Sequence, residues 1–139
     1  MEVRFHDIVE DSLLKFAVII AMMDGKYIFC KHRERKTLEI PGGHREENEA
    51  IDDTAKRELY EETGAISYSI KPLFSYEVIS NGASSYGRLY FANVKSLEEE
   101  LKSEMELITL FDELPPLEVW TYPVIQFELI KEAKRRNFI

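Results

Sequence analysis

Three acidic residues, Glu58, Glu61 and Glu62, stand at i, i+3 and i+4, which on a helix places their carboxylates within about a 100° arc. That arc borders and overlaps the apolar stripe Ile51, Ala55 and Leu59. Like charges at these spacings destabilise a helix by a few tenths of a kcal/mol per pair, and partial burial beside a core adds to the cost. A divalent cation would offset the repulsion. An all-oxygen set of this kind suits Mg²⁺, with Mn²⁺ as a substitute, better than metals that prefer His or Cys. Lys56 and Arg57 offer a second explanation, an ordinary acidic face held by salt bridges, and the three acids alone leave both open.

The elements that would carry these residues can be read from turn and cap signals. Asn48 is a plausible N-cap and Gly64 stands where a left-handed C-terminal residue belongs, so the spacing predicts a helix over Glu49–Thr63. Phe16–Met23 and Tyr27–Lys31 form a predicted hairpin through Asp24-Gly25, and Leu38–Ile40 a short strand ended by Pro41 before Gly42-Gly43, with a loop over His44–Glu47. Ile70–Ile79 and Tyr86–Val94 pair through Asn81-Gly82, and Glu106–Phe111 is a further strand. Thr121 is expected to cap a last helix with Pro123 in its first turn, with Val124, Phe127, Ile130 and Ala133 inward and Lys131, Lys134, Arg135 and Arg136 toward its C-terminus. Strands, helix, strands, helix predict an α/β protein, a mixed sheet between helices.

From Gly43 the chain reads Gly, five residues, Glu49, seven residues, then Arg57-Glu58-Leu59-Tyr60-Glu61-Glu62-Thr63-Gly64-Ala65. This resembles the Nudix box at every charged and glycine position, with Ala65 in place of the usual larger aliphatic residue. Pro41-Gly42 is also familiar from that superfamily, although an aromatic often found shortly before it is replaced by Leu38-Glu39-Ile40. The resemblance implies the Nudix α/β/α sandwich and a Mg²⁺-dependent hydrolase of nucleoside diphosphate derivatives. It also implies metal ligation by Glu61, Glu62, the Gly42 carbonyl and Glu58, with Glu58 as alternative proton acceptor. Arg57 would orient the glutamates, Asp53 being its competing partner, and Glu49 would support the cluster or simply complement the helix dipole. On this basis Glu58, Arg57 and Glu61 are the catalytic candidates. Family members often use one more acid beyond the box, for which Glu104 is the first candidate and Glu106 the second.

Substrate choice lies outside the box. The fifteenth residue after Ala65 is Ser80, not the proline of many ADP-ribose hydrolases, and no SQPWPFPxS segment occurs. MutT-like hydrolysis of an NTP or dNTP to a monophosphate and pyrophosphate is the default expectation, an oxidised purine nucleotide being one candidate substrate. The alternatives are a hydrolase of another substrate such as ADP-ribose, or a nucleotide-binding module without turnover; intact Glu58, Glu61 and Glu62 argue against the latter. Isoprenoid isomerisation lacks the accompanying Cys or His pair. Arg33 and Arg35, in the basic run Lys31–Lys36, and Arg88, between Tyr86 and Tyr90 on a predicted strand, are candidate substrate contacts, with packing or solvation as the competing explanation.

A length of 139 residues fits one domain, 1–139. The net charge of −8 argues against non-specific binding to a nucleic-acid polymer. The lone Cys30 favours a reducing compartment, and the longest apolar run, Phe16–Met23, is far too short to span a bilayer. A cytoplasmic protein with a nucleotide as its partner is expected, either a monomer or a homodimer.

Overall fold

Asp24 and Gly25 have φ of 53° and 75°, and Asn81 and Gly82 of 52° and 77°. Two consecutive positive values are what a two-residue hairpin turn requires, and both dipeptides close hairpins as predicted. The computed structural model describes residues 1–100 and 105–139, and only the backbone of Glu106. The strands are β1 (Glu2–His6), β2 (Leu14–Met23), β3 (Lys26–His32), β4 (Gly42–His44), β5 (Ala65–Ser80), β6 (Ala83–Leu97) and β7 (Met105–Phe111), with helices α1 (Ile51–Thr63) and α2 (Ile125–Arg135).

The strands form a mixed sheet in the order β1-β5-β6-β2-β3-β7, in which β2 runs parallel to β6 and the other pairs are antiparallel. After pairing with β3 at Met22–Tyr27, β2 parts from it, and β4 bonds to β2 across Phe16–Val18. The segment before β4 bridges the gap: Ile19 N–H donates to the Pro41 carbonyl, and Cys30 and Glu39 exchange backbone hydrogen bonds.

Alternation along β2 feeds both faces of the sheet. Ala17 and Ile19 pack with Ile51, Ala55 and Leu59 of α1, while Val18 and Ile20 pack toward Trp120 and toward Leu129 and Ile130 of α2. The result is the α/β sandwich expected from the sequence.

Several boundaries differ from expectation. Helix α1 starts at Ile51 after Ala50, which makes no side-chain cap bond. Asn48 occupies a left-handed turn, φ 61°, and does not cap the helix. Helix α2 starts at Ile125, because Thr121 shares a 2.6 Å hydroxyl bond with Thr37 and its N–H donates to Leu38, so Thr121 and Pro123 belong to the approach. Val124 is half exposed for the same reason. Leu38–Glu39 forms isolated bridges only, and His44 closes strand β4 where a loop was expected. Strand β1 was not predicted; its register on β5 runs from Glu2–Ile79 to His6–Ser75.

Candidate active site

Arg57 is the hub of the acidic surface of α1. Its Nε and Nη2 donate to the two Glu49 oxygens at 2.7 and 3.0 Å, a bidentate fork. Its Nη1 reaches Glu58 at 2.9 Å and Glu61 at 3.3 Å, and Nη2 also donates to the His44 carbonyl at 3.0 Å. One guanidinium thus ties helix, preceding loop and β4 together, a planar task that an ammonium cannot perform. Of the two partners considered for Arg57, the glutamates hold it. Glu49 also accepts from the Thr54 hydroxyl and the Glu46 N–H, and Arg57 chiefly holds its carboxyl down at about 2.

The opposite wall is β4. The Gly42 N–H donates to Glu62 Oε1 at 2.8 Å. A Cβ on Gly43 would run into the Glu58 carboxylate, and one on Gly42 would lie 2.7 Å from the Ala17 carbonyl oxygen. Glycine keeps both positions clear where α1 and β2 approach β4 this closely, and at Gly42 the obstacle is backbone. Gly42–His44, Arg57, Glu58, Glu61 and Glu62 line an open groove of about 660 Å³.

Burial pushes the Glu62 carboxyl up to about 8, with Glu58, Glu39 and Glu61 adding repulsion, and burial also raises Glu58. Among the described residues that line the groove, Arg57 is the base that pairs with Glu58 and Glu61, while Arg45 bonds Asp11 and the Leu14 and Glu49 carbonyls. Among the described residues no three His, Cys, Asp or Glu side chains converge into a ready-made cation cage. Glu58 and Glu61 turn to Arg57, and Glu62 turns to Gly42. The donor chemistry still fits a hard divalent cation: crowded carboxylate oxygens, two of them disfavoured as anions until a positive charge joins them.

The other predicted residues disperse. Arg33 is exposed just beyond β3. Arg35 pairs with Glu39 at 2.9 Å and donates to the Tyr122 hydroxyl. Arg88 lies on the α1 face of the sheet, 3.7 Å from Asp52, where the Tyr90 hydroxyl also bonds; it lines neither the groove nor the cavity described next. Glu104 lies outside the described residues, as does the side chain of Glu106.

A second concavity of about 290 Å³, on the α2 side, shares Gly42–His44 with the groove and continues over Phe16, Val18, Glu39, Tyr122, Ile125 and Gln126. Sequence reasoning missed it because its walls come from widely separated segments. The one available signal was an acid inside an otherwise apolar stretch, Leu38-Glu39-Ile40.

The sandwich with this acidic groove defines the class: the chain belongs to the Nudix hydrolase family, whose domain pattern matches residues 13–128 and whose members generally use divalent metal ions. Among individual relatives, it is 33% identical over 116 residues to YtkD of Bacillus subtilis (strain 168), provisionally named an 8-oxo-dGTP diphosphatase; the match covers 83% of this chain and 73% of that one. It is similar to the crystal structure of a point mutant of the Bacillus subtilis pyrophosphohydrolase BsRppH, with TM-score 0.74, 27% identity and 94% and 90% of the two chains covered. A NUDIX hydrolase from Nitrosomonas europaea shares the fold at TM-score 0.72 and 22% identity, with 88% and 89% covered. No helix among the described residues is long and apolar enough to cross a membrane.

Proposed function

We propose that the protein hydrolyses nucleoside triphosphates or deoxynucleoside triphosphates to a monophosphate and pyrophosphate with Mg²⁺ as its cation. The observation that carries this is the groove in which Arg57 arranges Glu49, Glu58 and Glu61 opposite the glycine wall of β4. The likeness to a relative named for 8-oxo-dGTP supports a nucleotide substrate, and an oxidised purine nucleotide belongs among those to test.

Glu61, Glu62, Glu58 and the Gly42 carbonyl would hold the cation, with Glu104 as a further donor. Bound there, Mg²⁺ supplies neutralisation of phosphate charge and acidification of water. The remaining work falls to the chain. Glu58, made more basic by burial, accepts the proton of the attacking water at its carboxylate. Arg57 fixes the rotamers of Glu58 and Glu61 and keeps Glu49 charged at the base of the cluster. Water adds to phosphorus at the phosphoanhydride, the P–O–P bond between the α and β phosphates breaks, and monophosphate and pyrophosphate depart.

The test is chromatography of NTPs, dNTPs, 8-oxo-dGTP, ADP-ribose and dinucleoside polyphosphates after incubation with Mg²⁺, alongside Glu58→Gln. We expect monophosphate and pyrophosphate in equal amounts from the triphosphates, with a loss of about 10² to 10⁴ in kcat for the variant. Nucleotide binding without turnover in both proteins would leave a binding module instead.

A further inference from the structure

The cavity beside the groove has the size and lining of a site for one planar ring. At about 290 Å³ it sits at the lower end of small-molecule pockets, which run from roughly 300 to 1,000 Å³, too small for a whole nucleotide. Phe16 and Tyr122 supply aromatic surface, and Val18 and Ile125 aliphatic surface. Because its floor, Gly42–His44, is also the wall of the acidic groove, a ligand with its phosphates in the groove can place its base here.

What distinguishes this cavity is a single acid. The Glu39 side chain is 8% exposed, and Arg35 Nη1 donates to its Oε1 at 2.9 Å. Its Oε2 has no hydrogen-bond partner among the described residues. Gln126, the neighbouring polar residue, is held in place: its Oε1 accepts the Ile40 N–H and one Nε2 hydrogen donates to the Ile40 carbonyl, which fixes the residue next to Glu39 and leaves the second Nε2 hydrogen as a donor, the complement of the Glu39 acceptor. The hydroxyls of Ser85 and Tyr122 and the His44 ring can each donate or accept, so they do not discriminate between bases. A carboxylate paired with arginine accepts only, and it requires donors from its ligand.

We propose that Glu39 reads the base and makes this cavity selective for guanine, whose edge carries two adjacent donors, the ring N1–H and the exocyclic 2-amino group. Adenine and cytosine place a ring-nitrogen lone pair beside their amino group and would set it against the carboxylate. Uracil offers one N–H between two carbonyls. Guanine oxidised at C8 keeps the same donor edge, so Glu39 admits ordinary and oxidised guanine alike. This inference rests on the proposed nucleotide hydrolysis for the placement of the phosphates, and Glu39 is a specificity residue outside the catalytic cluster.

The experiment is calorimetric titration of the Mg²⁺-loaded protein with GMP, IMP, AMP and CMP, together with kcat/KM for GTP, ITP, ATP and CTP, in the wild type and Glu39→Gln. Wild-type preference for guanine over adenine is expected at about 10- to 100-fold in both measurements, with hypoxanthine, which lacks the 2-amino group, between them. In Glu39→Gln, where one donor replaces one acceptor, the ratio should collapse toward 1. Should that variant not fold by near-ultraviolet circular dichroism, Glu39→Asp keeps the charge, retracts it by one methylene, and should cut the ratio about 10-fold. Equal or absent binding of GMP and AMP to the wild type, or a ratio that survives in the variants, overturns the assignment. A GMP preference without turnover of any nucleotide would sink the hydrolase proposal and leave Glu39 standing; turnover indifferent to the base would do the reverse.

Discussion

Replacing Glu62 by Gln tests the electrostatic account of the groove most directly. In the metal-free protein burial, followed by repulsion from Glu58, raises the Glu62 carboxyl from an ordinary 4.5 to about 8 against the opposing pull of the Gly42 N–H. The folded state therefore binds more protons than the unfolded state between those values, and stability falls as pH rises through that window. The favourable contribution is complete below about 4.5 and is lost once the folded carboxyl has titrated near 8. At about 1.4 kcal/mol per pH unit the ceiling is about 5 kcal/mol, and residual solvent contact reduces the expected effect to about 2–4 kcal/mol. Gln carries no charge, and its Oε1 can still accept from Gly42. Urea denaturation in a chelator should find Glu62→Gln more stable than wild type by about 2–4 kcal/mol at pH 9 and within about 1 kcal/mol at pH 5. Adding Mg²⁺ should reverse the order, because the wild type gains the binding free energy and the variant loses a ligand. A variant less stable than wild type at pH 9, or a difference that does not change with pH, would refute the reasoning.

Arg57→Lys keeps the charge but loses the fork, so kcat should fall about 10²-fold; the Glu49 carboxyl, held at about 2 chiefly by Arg57, should titrate nearer the ordinary range by NMR, and an unmoved Glu49 would contradict the hub assignment. The two glycines of β4 should separate fold from function. Gly43→Ala presses on the end of the Glu58 side chain, which can swing away, so activity should fall about 10²-fold with under about 1 kcal/mol lost in urea melts. Gly42→Ala meets the backbone of β2, which cannot, and should cost about 1–3 kcal/mol; equal stability losses in the pair would contradict this geometry.

How much of this was legible follows from the range over which each signal acts. The acidic helix and its stop at Gly64 are local and could be read from spacing, as could both hairpins, whose turn residues adopt the positive φ their types favour. The start of α1 was misplaced because Asn48 has the chemistry of a cap, yet its backbone is used for a left-handed turn that delivers Glu49 to Arg57. Strand β1 alternates charged and apolar residues over a span too short to show a pattern, and its partner β5 lies more than sixty residues away. Arg88 is a candidate substrate contact by its alternation with Tyr86 and Tyr90 along a strand; that strand is present, and its parity puts Arg88 on the α1 face beside Asp52, a position the sequence alone does not give. The role proposed for Glu39 was not legible because Tyr122 and Gln126, which bond to its neighbours Arg35 and Ile40, are brought beside it only by tertiary structure.

Strand β4 is three residues long, and both concavities rest on it. Its backbone borders both, so it would hold at a fixed spacing whatever the two concavities bind. A ligand whose two ends are spaced too far apart or too close together cannot engage both at once, however well either end fits alone. On the proposed function, selectivity for molecular length would follow from the same backbone that shapes the groove, and a substitution in this strand should alter discrimination and turnover together.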